Sequence, residues 1–320
     1  MPYQGELCAL AAALTWSVSV ILFKRSEAVT PQAMNLFKNV VALALFAITL
    51  GVMGESLPSD RSREDWLLLC LSGVLGIAIA DTLIFMALRR LGASLLAVVD
   101  CAYAPTIVIF SVAVLGEPLG PGFLIGGVLV VGGVLLAVAQ RPVLGPDQDP
   151  LEARRELRVG AILGVAGIVA MAAGVVIVKP LLDQSSLVEV TAVRLLAGVV
   201  AQLAWCGVFR QWETFSVFRE RTVWKTLVPA SVLGTYVAML FWLGGFKWAK
   251  VSVAAVFNQL SSVFTIGLAW LFLKEEMSWR RASGAALAVL GALVVIVATQ
   301  ESPSIPQPPA AQAAPVSSTD

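Results

Sequence analysis

The chain has 320 residues, of which 58% are AVILMFWYC and 13% are charged, against about 45–50% apolar and about 25% charged in an average soluble domain, so composition argues against a soluble single-core protein. The 22 basic and 21 acidic residues nearly cancel and cluster between apolar runs, leaving no basic stripe for nucleic acid. With no histidine, Ser-His-Asp triads, histidine metal sites and imidazole relays are excluded, and Cys8, Cys70, Cys101 and Cys206 stand singly, outside any CxxC pair, as packing residues.

A membrane-crossing helix needs about 20 mainly apolar residues. On that measure ten spans follow one another: residues 6–23, 32–53, 66–88, 92–115, 119–139, 159–181, 189–209, 224–247, 250–273 and 278–299. The first span has no basic segment before it and no small-x-small cleavage site after it, so it is expected to stay in the mature protein. Trp66, Trp224 and Trp279 stand at span starts, where an indole prefers the headgroup level. Residues 140–158 hold three prolines and eight charges and are expected to be the main polar linker. Trp212, Phe215 and Phe218 lie among charges in 210–223, which suggests a turn flat on the membrane surface. The tail, 300–320, is rich in Pro, Ala and Ser and is expected to be disordered.

The two halves repeat at a nearly constant offset. Lys24 falls on Lys179, Lys38 on Arg194, Val74-Leu75-Gly76 on Val232-Leu233-Gly234, Glu117 on Glu276 and Gly132 on Gly291, with the offset growing from 155 to 159 across loops. Each repeat has five spans, an odd number, so the second should cross the membrane in the opposite sense. The expected fold is therefore an all-α membrane protein, ten transmembrane helices as two inverted five-helix repeats (5–139 and 159–299), with substrate between the halves.

The stretch Ala87-Leu88, Leu91-Gly92-Ala93-Ser94, then Pro105, Leu115-Gly116-Glu117-Pro118-Leu119 and a Gly-rich fifth span resembles the EamA repeat of the drug/metabolite transporter superfamily. The resemblance covers about residues 5–299; Lys38 stands where the family usually has Arg, Ser17 follows Trp16 where Gly is usual, and Phe264 in the second repeat matches Pro105 in the first. It implies a carrier of small metabolites or drugs, commonly an exporter.

Ionisable side chains at membrane depth are costly, about 2.5–3.5 kcal/mol on insertion scales, and are functional candidates by default. Lys24, Lys38, Asp81 and Asp100 are such residues in the first half. At 1.5 Å per residue Asp81 lies about 10 Å from the end of its span, Asp100 about 12 Å and Lys38 about 9 Å into theirs. These depths put Lys38 within salt-bridge reach of Asp81 or Asp100. The plainer readings are that the lysines snorkel to the interface and that the carboxylates form a structural pair or cap. Asp100 is the preferred proton site, because Tyr103 lies one turn on and Gln259, a neutral near-isostere, holds its place in the second repeat.

In the ninth span Asn258, Ser261, Ser262 and Thr265 form a polar stripe, beside Gln259, that either lines a cavity or bonds between helices. Arg194 has no intramembrane carboxylate in its own half; either an anionic substrate group meets it or it sits at the interface. Glu117 and Glu276 are expected to cap following helices. Pro105 should free a carbonyl and bend the fourth span, as hinge or static kink. The glycines of the fifth span (122, 126, 132, 133) with Gly284, Ala288 and Gly291 should seat both repeats' last spans against other helices.

No phosphate-binding loop GxxxxGK[ST] is present, so ATP is not expected as the energy source. The resulting expectation is a secondary transporter moving a small amino-acid-like or drug-like solute by alternating access, coupled to protons or membrane potential. It needs no cofactor or metal, acts as a monomer or homodimer and sits in a bacterial inner membrane. A non-transporting membrane sensor or scaffold is the alternative; an intramembrane enzyme would need a nucleophile with its base, or a metal cluster. Connections 1-2, 3-4, 5-6, 7-8 and 9-10 carry 16 Lys and Arg against 6 elsewhere, which by charge alone puts both termini outside. The family resemblance puts both inside; either way they share a side.

Overall fold

A computed structural model of the chain describes residues 4–54, 61–115, 121–138, 149–242 and 251–300, with 251–259 and a few other positions described by backbone only. Every regular element among the described residues is helical. In chain order these are α1 (Gln4–Lys24), α2 (Pro31–Met53), α3 (Arg63–Gly73), α4 (Ala80–Asp100), α5 (Tyr103–Leu115), α6 (Pro121–Val138), α7 (Pro150–Gln184), α8 (Leu187–Val208), α9 (Arg221–Ser231), α10 (Val251–Leu268) and α11 (Trp279–Gln300). Wider π-helical segments continue three of them: Val74–Ile79 joins α3 to α4, Val232–Val237 follows α9 and Ala269–Leu273 follows α10. Six described stretches are long and apolar enough to cross a bilayer: Gln4–Lys24, Pro31–Met53, Arg63–Asp100, Pro150–Val178, Leu187–Val208 and Arg221–Trp242. Leu124–Val138 and Leu260–Leu273 are shorter apolar helices.

Local sequence sets the helix ends. Thr30 accepts the amide of Ala33 at 3.3 Å while Pro31 opens α2, a position where proline's missing N–H is no loss. Asp149 accepts the amide of Leu151 at 3.0 Å and Pro150 opens α7. Residues 150–158 of the expected polar linker are helical, the first turns of α7, because a capped, Glu/Arg-rich stretch extends the apolar helix behind it. Residues 140–148 lie outside the described residues, as does the tail from 301.

The connection between the third and fourth expected spans is reduced to Gly92, with φ 79° and ψ 173°. Ten residues on, the helix breaks at Cys101–Ala102 between α4 and α5. Pro105 lacks the N–H that would bind the carbonyl of Cys101, so the bend expected of it is realised as a break. The turn expected on the membrane surface is a 3-10 segment, Trp212–Phe218, and faces outward at one end only. Trp212 is exposed and stacks on Phe215 at 6.1 Å, whereas Phe218 packs on Phe37 of α2 at 5.3 Å.

The most extensive packing joins helices from opposite halves of the chain: α6 on α11, α4 on α7 and α1 on α10. Small residues make the first of these seams. A Cβ on Gly133 would stand 2.6 Å from the Ala288 nitrogen and the Gly284 oxygen, and one on Gly291 2.6 Å from the Gly126 oxygen. The backbones therefore touch directly, and the small residues of both spans meet each other as a seam. The opposite face of α6 presents Leu124, Val128, Val131 and Leu135, each more than half exposed, a surface suited to lipid and not to water. Among the described residues the main buried cluster, including Phe23, Leu95, Ile168 and Leu227, draws on both halves, with smaller ones around Phe46 and around Leu69.

Candidate functional site

The repeated tripeptides Val74-Leu75-Gly76 and Val232-Leu233-Gly234 both open π segments. A π turn carries an extra residue, widens the coil and recurs at functional sites. Each segment is held by a helix of the other half. Ser19 of α1 donates to the carbonyl of Ala230 at 2.6 Å, and Ser72 of α3 donates to the carbonyl of Gly174 in α7 at 2.5 Å. By the offsets of the duplication, Ser19 corresponds to Gly174 and Ser72 to Ala230. The same helix pair meets twice, with donor and acceptor exchanged.

Beside the first π segment lies a charged cluster. Lys38 of α2 is 4% exposed, so its ammonium needs a partner. Its Nζ bonds Asp81 Oδ2 at 2.6 Å and Asn39 Oδ1 at 2.9 Å and stands 5.9 Å from the Phe85 ring centre. Of the two expected partners, Asp81 is the one that pairs. Asn39 donates to Asn35 Oδ1 at 2.9 Å, and Asn35 donates to the Ile77 carbonyl and to Thr82 Oγ1, both at 2.9 Å. Sequence reasoning missed Asn35 and Asn39. The signal was present: they stand at i and i+4 beside Lys38 on one apolar helix.

Arg194 of α8 reaches this cluster from the second half. A Cβ on Gly76 would lie 3.1 Å from Arg194 Nη2, and the Arg194 carbonyl abuts Gly73. Its side chain is half-buried against the π segment, within electrostatic range of Tyr103 and Asp81. Its Nε is sealed from solvent with no hydrogen-bond partner among the described residues. Asp100 and Tyr103 are also half-buried and interact electrostatically. They do not share a continuous helical turn as expected, because the break ahead of Pro105 falls between them.

Of the stripe on α10, the side chains of Asn258 and Gln259 lie outside the described residues. Ser262 and Thr265 are buried, Cys101 Sγ lies 3.7 Å from Ser262 Oγ at the α4–α5 break, and Ser17 of α1 donates to the Ser261 carbonyl at 2.9 Å. The described part of the stripe thus packs on the first half. Glu117 lies outside the described residues, and at the start of α11 the amide of Arg281 is accepted by Ser278 Oγ at 3.2 Å, in the place expected of Glu276, while Glu276 offers its carbonyl to Arg281 Nη1 at 2.9 Å. Lys24 bonds Glu27 and the Arg89 carbonyl at a helix end.

The sequence profile of the EamA-like transporter family matches residues 3–139 and again 158–297. The chain belongs to the EamA-like transporter family. Its wider group is the drug/metabolite transporter superfamily. No curated protein matches the chain. A solved structure described only as "Crystal structure of protein" is similar at 19% identity and TM-score 0.64, covering 94% of this chain and 99% of that one, a likeness of fold.

In this EamA-like chain the two matched repeats are also tied at opposite ends. Arg61 bonds Glu189 Oε1 at 2.5 Å and Ser185 at 2.8 Å, with both charged side chains about nine-tenths buried. At the other end Glu275 accepts the amides of Ala93 at 2.8 Å and Ser94 at 3.0 Å, capping the helix that restarts after Gly92. Arg61 precedes the rod that begins at Arg63 and Gly92 closes it, so the contacts stand about 45 Å apart at 1.5 Å per residue. Neither was legible: their partners lie 128 and 181 or more residues away.

Proposed function

We propose that this EamA-like protein is a secondary transporter that moves a small solute by alternating access, with ten spans as two inverted five-helix repeats. The observation that carries the reading is the charged cluster at the crossing of the halves: Lys38 and Asp81 from the first, Arg194 from the second, beside the first π segment. Lys38 and Arg194 each lie about 10 Å from the N-terminus of their helices, which supports a cluster within the hydrocarbon layer. Charge kept at that depth serves a solute or ion path.

Two end contacts give the motion its form. Opening one face separates Arg61 from Glu189; opening the other withdraws Glu275 from Ala93 and Ser94. Each is a polar contact that water can replace on exposure, so neither end locks permanently. Asp100, half-buried and without an ion pair among the described residues, is the proton site in this reading, and transport runs outward across a bacterial inner membrane on the proton or electrical gradient.

Counterflow tests the reading. Purified protein in sealed liposomes loaded with candidate solute should take up labelled solute from outside without added energy. A sensor or scaffold exchanges nothing across the bilayer. Absence of counterflow across a metabolite panel that stabilises the folded protein overturns transport.

A further inference from the structure

A guanidinium stays charged throughout the protein pH range, so Arg194 cannot be relieved by losing a proton. Lys38 has its counter-charge in Asp81 at 2.6 Å, and that pair is internally balanced. Arg194 has no such partner: among the described residues its side chain makes no hydrogen bond, no carboxylate lies within 4 Å of it, and its Nε is buried. The backbone beside it is bare because Gly76 has no side chain where a Cβ would stand 3.1 Å from Nη2. The Tyr103 hydroxyl also makes no hydrogen bond with a described residue, and Tyr103 is half-buried within electrostatic range of Arg194, a second donor near it.

We infer that Arg194 is an anion subsite between the halves, its guanidinium holding the carboxylate of a small solute through paired N–H contacts with the Tyr103 hydroxyl as a further donor. The planar fork of arginine matches a planar carboxylate. With Lys38 matched to Asp81 and Asp100 holding the proton assigned to it above, Arg194 is left as one cation for one negative charge. A phosphate dianion would need a second free cation, yet Lys38 is already committed to Asp81. The inference takes the solute's route from the transport reading, but binding alone tests its chemistry.

The probe is sodium butyrate, with sodium chloride, sodium phosphate and butylammonium chloride as comparisons, titrated onto the full chain in detergent and read as the rise in Tm. Butyrate should stabilise the wild type above the chloride baseline, and phosphate and butylammonium should not. Arg194→Gln should weaken the butyrate response by roughly ten- to a hundredfold, the worth of one charge-assisted contact, with Arg194→Lys in between. Gly76→Ala keeps the charge but crowds Nη2, and Tyr103→Phe removes the extra donor; both should weaken butyrate, and both serve if Arg194→Gln does not fold. An equal butyrate response in the wild type and these variants overturns the subsite, as does a wild type that answers phosphate better or butyrate no better than chloride. Counterflow is scored separately: binding that survives without counterflow sinks transport and leaves the subsite standing.

Discussion

Lys38 and Asp81 are 43 residues apart and meet at 2.6 Å, a pairing legible from depth alone because an unpaired charge inside a membrane protein is too costly to leave. Helix length and loop parity fix depth, so they narrow the partners to two. They do not fix rotation about the helix axis, which is why Asp81 could not be told from Asp100 in advance. Asp81→Asn leaves the buried ammonium with neutral amide acceptors and no counter-charge and should destabilise the fold by about 3–5 kcal/mol, while replacing both partners by Lys38→Met with Asp81→Leu should be close to neutral. Denaturation in detergent compares the two. If the single change is as mild as the double one, the pair is not what neutralises Lys38. Counterflow on the double variant then asks whether a stable fold lacking the pair still transports, and the proposed path expects a loss.

At the scale of elements, the hydrophobic spans were legible because apolar length is a strong signal. What happens inside them was not. The tripeptide that revealed the duplication marks two π segments, but sequence shows it only as a repeat; the extra residue per turn comes from close tertiary contacts such as Ser72 on Gly174. The cap on the helix that restarts after Gly92 was missed for a related reason. The third π segment and Lys274 at φ 54° rotate the chain where α10 ends, and Glu275 faces the amides of Ala93 and Ser94 in the other half. Gly92 sits at φ 79° and ψ 173°, a conformation close to glycine-only, and a Cβ there would stand 2.7 Å from Glu275 Oε1. Gly92→Ala is expected to cost about 1–3 kcal/mol. Glu275→Ala should cost about 0.5–2 kcal/mol, the usual worth of an N-terminal cap. Thermal unfolding measures both. Because the alanine at 92 also displaces the cap, the double variant should lose less than the sum of the singles; strict additivity would mean that the two residues act independently.

For the whole molecule, the small-residue seam was anticipated as a class of contact, yet its partner was not, because glycine spacing says a helix can be approached closely and not by which neighbour. The seam and the cross-half packing of α1 on α10 and α4 on α7 mean that neither repeat buries its core alone. Relative motion must then be small rocking about contacts that persist, with larger changes confined to the polar contacts at the two ends. Breaking the Arg61–Glu189 contact, by Glu189→Gln, should favour the state open at that end, since it removes a charge partner from the closed form and nothing from the open one. The readout is labelling of Ser185→Cys by a membrane-impermeant maleimide in a background lacking the four native cysteines, because Ser185 bonds Arg61 and shares its shielding. Labelling should quicken with Glu189→Gln. Glu275→Gln keeps a carbonyl oxygen to accept one amide but loses the charge, so it should weaken the opposite end and slow labelling at position 185, the two ends competing for one closed space. Faster labelling at position 185 in both variants would show general loosening of the fold and would sink alternation between these two contacts.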